Sequence, residues 1–125
     1  MRKTSPTQYN IKTDTTIPRL VTVAATQMSC STSKEKNIEK AVNMVRKAAK
    51  AGAQVILLQE LFEDIYFCFE QHGKYFETAH SVTDEDKETG EIKIVPDSFI
   101  RTFQELAKEL KVVLPISFFE APSLS

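Results

Sequence analysis

The chain has 125 residues, enough for one domain and too few for two independent cores. With 42% apolar and 26% charged residues it has the composition of a packed globular protein rather than a disordered one. Sixteen Lys and Arg against seventeen Asp and Glu give a net charge of -1, so no global field draws it to nucleic acid or anionic lipid. Uninterrupted apolar runs such as Val55 to Leu58 are far too short to cross a membrane. Neither a nucleic acid nor a membrane is an expected partner.

Residues 1–18 hold six Ser or Thr, two prolines and no apolar periodicity, and read as a disordered tail. Arg2, Lys3 and Lys12 lack the repeated arginine and amphipathic stripe of an organelle transit peptide. The domain proper is expected over 19–125. Leu20 to Ala25 is a β-rich run without clean alternation, the pattern of a strand covered on both faces. Thr32-Ser33-Lys34-Glu35 matches a capping box with Thr32 as the cap. The helix it opens carries Ile38, Ala41, Val42, Val45, Ala48 and Ala49 on one stripe, and Gly52 stands where a left-handed terminator belongs. Gln54 to Gln59 reads as a second buried strand, so strand, helix and strand predict a parallel unit.

Leu61 to Phe76 is aromatic without a decisive period, and reads as loop plus a short helix. The charged stretch Ser81 to Lys93 reads as a solvated surface excursion. Pro96-Asp97-Ser98 makes a helix entry, followed by a stripe of Phe99, Ile100, Phe103, Leu106, Ala107 and Leu110. Val112 to Phe119 predicts a third strand, with an edge or bulge near Pro115, which has no ladder donor. The sum is an α/β fold, a mostly parallel β-α-β-α-β portion. Three strands are few for such a sheet, and the pattern reads as the front part of something larger.

In open parallel sheets ligands bind beyond the carboxyl ends of the strands. Glu60 occupies that place, after the apolar run of the second strand and before Leu61-Phe62. Poor solvation there would suit its carboxylate to general acid/base work; a Glu turned into water at a strand exit is the plainer alternative. Cys68, between Phe67 and Phe69, reads as a buried, inert thiol, and Cys30 as structural. Two such cysteines form no disulfide framework and fit a reducing compartment such as the cytoplasm. His72 and His80 lack further ligands at metal spacing, and Gly52, Gly73 and Gly90 form no phosphate loop. No metal or cofactor is expected.

Gln59-Glu60-Leu61-Phe62-Glu63-Asp64-Ile65-Tyr66-Phe67-Cys68 resembles the nitrilase superfamily of carbon–nitrogen hydrolases, and within it the N-carbamoylputrescine amidases. Val21 to Gln27, Ala51 to Leu58 and Leu106 to Glu120 resemble it in the same order, with Asp64-Ile65 where the family has Gly-Tyr. The resemblance implies an α-β-β-α sandwich with a Glu-Lys-Cys triad, whose glutamate matches Glu60. In such enzymes the cysteine attacks a carbamoyl or amide carbon, the glutamate relays its proton and the lysine stabilises the oxyanion. The sequence ends before the family's lysine and cysteine motifs, so the chain reads as an N-terminal portion, inactive alone. Its implied partners are a small-molecule carbamoyl or amide substrate once completed, and a second copy or a full-length homologue. The alternative reading is a non-catalytic subunit that associates with a complete family member.

Overall fold

In the computed structural model, residues 19–81, 83–85, 87–95 and 98–121 are described. The tail expected over 1–18 lies outside them, as do Pro96 and Asp97 of the expected helix entry. The elements run β1 (Val23–Ala25), α1 (Lys34–Lys50), β2 (Val55–Leu57), a 3-10 helix (Gly73–Thr78), β3 (Thr83–Glu85), β4 (Ile92–Ile94) and α2 (Phe99–Leu110).

The α1 stripe follows its 3.6-residue period. Ala41 and Val45 are buried, while Ile38, Val42, Ala48 and Ala49 pack around them. The cap lies one residue later than the capping box predicts. Ser33, with extended backbone, accepts from the Lys36 amide, and Glu35 instead takes the Ser33 hydroxyl at 3.0 Å. That bond comes second to one from the backbone amide of Glu35 in holding its carboxyl below the ordinary range. At the far end Gly52 has φ +98°, with the Ala53 amide on the Ala48 carbonyl and the Gly52 amide on that of Ala49. This pair of bonds is the Schellman closure, which glycine enters without the Cβ penalty. Helix α2 ends with Lys111 in the left-handed region at φ 54°, the Lys111 and Val112 amides both reaching the Ala107 carbonyl.

Strands β1 and β2 pair in parallel, Val23 opposite Val55 and Ala25 opposite Leu57, as predicted. The expected third strand is reduced to one parallel bridge on the other side of β2. Val113 donates to the Gln54 carbonyl at 2.8 Å and accepts from the Ile56 amide at 2.9 Å. The alternation of a parallel ladder would next require residue 115 to donate to the Ile56 carbonyl, and a proline has no hydrogen to give. The ladder therefore stops there. A second departure lies at 83–94, where the expected solvated excursion contains the antiparallel hairpin β3–β4.

The core is shared between one face of the sheet and both helices. Ile56, Leu58, Ala41, Val45, Ala53, Phe62, Phe103 and Leu106 are buried together. Phe62 meets Phe103 edge to face at 5.1 Å and Phe99 at 6.1 Å. Outside the core, Arg46 grips Glu109 through its two terminal guanidinium nitrogens, at 2.6 and 2.9 Å, and ties α1 to α2. The opposite sheet face is open: Val23, Leu57 and Val113 are exposed, against the expectation of strands covered on both sides.

Candidate active site

Glu60 is the first residue of the turn that leaves β2. The next residue, Leu61, is in the left-handed region at φ 52°, which swings the chain so that Phe62 and Glu63 dive inward while Glu60 stays outside. The carboxylate is exposed rather than poorly solvated, and the Tyr66 hydroxyl donates to it at 3.4 Å. Both residues line a cleft of about 460 Å³ with Ala25, Thr26, Gln27, Met28 and Gln59, at the carboxyl ends of β1 and β2. This is where an open parallel sheet presents its ligand site. Hydrogen bonding to the Cys68 side chain, and after it the nearby Glu60 carboxylate, whose charge disfavours a phenolate, push the Tyr66 phenol above its ordinary value. Tyr66 is thus a protonated donor at neutral pH.

The cleft wall is fixed by polar side chains. Gln59 accepts from the Met28 amide at 2.7 Å and donates to the Cys30 sulfur, which donates to the Phe62 carbonyl, both at 3.3 Å. Burial raises the Cys30 thiol, with Lys40 opposing and Asp64 adding to the effect. A raised, tethered thiol is a structural one, as its sequence context implies. Cys68 departs from expectation, for it is exposed. It lines a second cavity of about 380 Å³ whose other walls include Phe67, Tyr75, Phe76 and Phe119. Phe67 stacks on Tyr75 at 5.0 Å, and the Tyr75 hydroxyl is bonded to Glu70, so this cavity is mainly aromatic packing. His72 accepts from the Lys74 amide and caps the 3-10 helix.

Sequence reasoning missed the network beneath Glu60. Asn37, buried on α1, donates to the carbonyls of Ser31 at 2.7 Å and Glu63 at 3.0 Å. Its oxygen accepts from the Ser31 amide at 2.8 Å and the Ser31 hydroxyl at 3.2 Å. One side chain thereby joins the loop after β1, the turn after β2 and the helix between them. The buried Glu63 carboxylate lies 3.0 Å from His80, whose ring nitrogen is also 3.0 Å from the Lys34 ammonium, with Asp64 3.8 Å from that ammonium. The legible signal for Asn37 was an amide four residues before Ala41 and eight before Val45, on the apolar stripe. Nothing in the spacing of Lys34, Glu63 and His80 announces that they meet. Replacing Asn37 by Ala orphans an amide and two carbonyls, and should lower the unfolding free energy by about 2–4 kcal/mol in a urea titration. A loss below about 0.5 kcal/mol would contradict the role given to Asn37.

With the geometry in place, comparison with known proteins identifies the framework. The carbon-nitrogen hydrolase family model matches residues 22–123. The chain belongs to the carbon–nitrogen hydrolase family. It is 44% identical over 102 residues to the N-carbamoylputrescine amidase of Solanum tuberosum, covering 82% of this chain and 30% of that one. To the N-carbamoylputrescine amidase of Oryza sativa subsp. japonica it is 41% identical over 100 residues, covering 80% and 29% respectively. A crystal structure of a carbon-nitrogen hydrolase from Helicobacter pylori G27 superposes with a TM-score of 0.59 at 25% identity, covering 82% of this chain and 31% of that one. The chain therefore spans about 30% of the length of the relatives it matches. Its parallel strands and packed helices are part of the family's α/β sandwich.

Proposed function

We propose that this chain supplies the glutamate-bearing portion of an amidase-type hydrolase that cleaves a carbon–nitrogen bond of an N-carbamoyl amine, with N-carbamoylputrescine as the substrate and polyamine biosynthesis as the setting. The observation that carries the reading is Glu60 on the rim of the cleft beyond β1 and β2, beside the Tyr66 hydroxyl. Likeness to two plant N-carbamoylputrescine amidases supports the substrate class. Glu60 acts as the base that takes a proton from a nucleophile and returns it to the departing amine. Tyr66, kept protonated, orients that carboxylate. A base alone activates nothing, and the Cys30 thiol, raised by burial and bonded to a carbonyl, is not the nucleophile it needs.

The 125-residue chain alone is expected to release ammonia from N-carbamoylputrescine no faster than buffer. Joined covalently to the part of the Solanum tuberosum relative outside the matched region, it is expected to sustain release. Ammonia above background from the chain alone would overturn its inactivity. A folded fusion with no release would overturn the functional assignment.

A further inference from the structure

Glu60 and Glu63 stand at opposite ends of one turn, the first exposed and the second 5% exposed. A carboxylate so far from water needs a donor to offset its desolvation, and the His80 ring nitrogen Nε2 lies 3.0 Å from Glu63 Oε1. The same nitrogen lies 3.0 Å from the Lys34 ammonium. One ring nitrogen carries either a hydrogen or a lone pair, so it serves the carboxylate or the ammonium and not both. A lone pair aimed at the buried carboxylate would repel it, whereas Lys34 is partly exposed and has Asp64 within 3.8 Å. The hydrogen therefore belongs on Nε2, whether the ring is neutral or charged. The post that offers it is itself fixed. The His80 amide donates to the Phe119 carbonyl at 3.0 Å, its carbonyl accepts from the Ala121 amide at 2.8 Å, and its ring meets Phe99 edge-on at 6.1 Å.

We propose, on the reading of Glu60 as the base, that His80 is a positioning residue for it: through Nε2–H it holds the Glu63 side chain and so fixes the turn that sets the Glu60 carboxylate on the cleft rim. Asn37 holds the Glu63 backbone carbonyl at 3.0 Å, so the inner end of the turn is tied at two points and resists rotation. A buried charge pair adds little stability over an apolar pair of similar volume, and its use here is to select one geometry. Misplacing a catalytic group by about 1 Å costs about 100-fold in rate, so a tether three residues from the base matters to turnover.

Two backbone amides of the 125-residue chain separate the turn from the sheet. The Asp64 amide donates to the Leu61 carbonyl at 3.2 Å and reports opening of the turn, and the Ile56 amide, on the Val113 carbonyl at 2.9 Å, reports the sheet. His80→Ala should speed hydrogen exchange at Asp64 by about tenfold or more and leave Ile56 within about threefold of the parent. His80→Gln, whose side-chain amide can still donate to Glu63, should keep both near the parent rates. The nitrogen chemical shift of His80 Nε2 should be that of a protonated ring nitrogen. In the covalent fusion, His80→Ala should lower the kcat of ammonia release by about tenfold or more with KM within about twofold, and His80→Gln should hold kcat within about threefold of the parent. If His80→Ala does not fold, adding Glu63→Gln removes the buried charge along with its donor, and this double variant should fold with kcat still about tenfold down.

An unprotonated Nε2, unchanged exchange at Asp64 in His80→Ala, or His80→Gln behaving no better than His80→Ala would overturn the proposal. So would a double variant that turns over at the parent rate. Parent-like kcat in His80→Ala would sink the positioning role and leave the functional reading standing. A folded fusion that releases no ammonia, with exchange at Asp64 responding as expected, would sink the functional reading and leave the tether.

Discussion

Glu60→Gln in the covalent fusion is expected to lower the turnover rate of ammonia release about 100- to 10,000-fold, the range lost when a positioned general base is removed. Glutamine keeps the size of the side chain and can still accept from the Tyr66 hydroxyl, but it cannot take up a proton. The loss should therefore fall on kcat, with KM nearly unchanged. The folded state should be indifferent, because the Glu60 side chain is exposed and its one described contact is a long 3.4 Å bond. Urea titrations of parent and variant should then agree within about 0.5 kcal/mol. A rate within about threefold of the parent would mean that Glu60 is a solvated strand-exit residue, the plainer reading of its position.

The amphipathic elements were legible in the sequence because a helix repeats its environment every 3.6 residues. The α1 and α2 stripes lie on the core as their spacing implies, and the parallel pairing of β1 with β2 is the natural result of the helix between them. What was not legible depends on meetings between distant residues. Pro115 announced a weak point, but that it would cut the third strand to one bridge depends on the donor requirement falling at 115 once Val113 is in register. The hairpin of β3 and β4 hid in a charged stretch, because the ladder that pairs the strands is made by backbone groups, which composition does not reveal. The exposure of Cys68 among aromatic neighbours could not be read, since composition does not say which way a loop turns. At the site, Glu60 was singled out by its place after the second strand together with the family resemblance. Asn37, Glu63, His80 and Lys34, drawn from three separate segments, were not.

The turn that displays Glu60 is anchored by the ring of Phe62. This side chain is 1% exposed and fits between Phe99 and Phe103 of α2, so the strand exit is fastened to the core two residues past the carboxylate. Phe62→Ala should reduce the unfolding free energy by about 3–5 kcal/mol, from lost transfer energy and the cavity left among the remaining rings. That is comparable with the whole stability of a marginal domain, about 5–15 kcal/mol. Phe62→Leu keeps most of the volume and should cost no more than about 1.5 kcal/mol, so it remains measurable if the alanine variant does not fold. Leu20→Ala, at a site 88% exposed, serves as the control and should stay within about 0.5 kcal/mol of the parent. In the fusion, Phe62→Leu should also lower ammonia release more than its small stability loss implies, since Glu60 shares the turn that Phe62 pins. Equal stability of the Phe62→Ala and Leu20→Ala variants would show that the turn is held from elsewhere, and the link between the core and the carboxylate would fail with it.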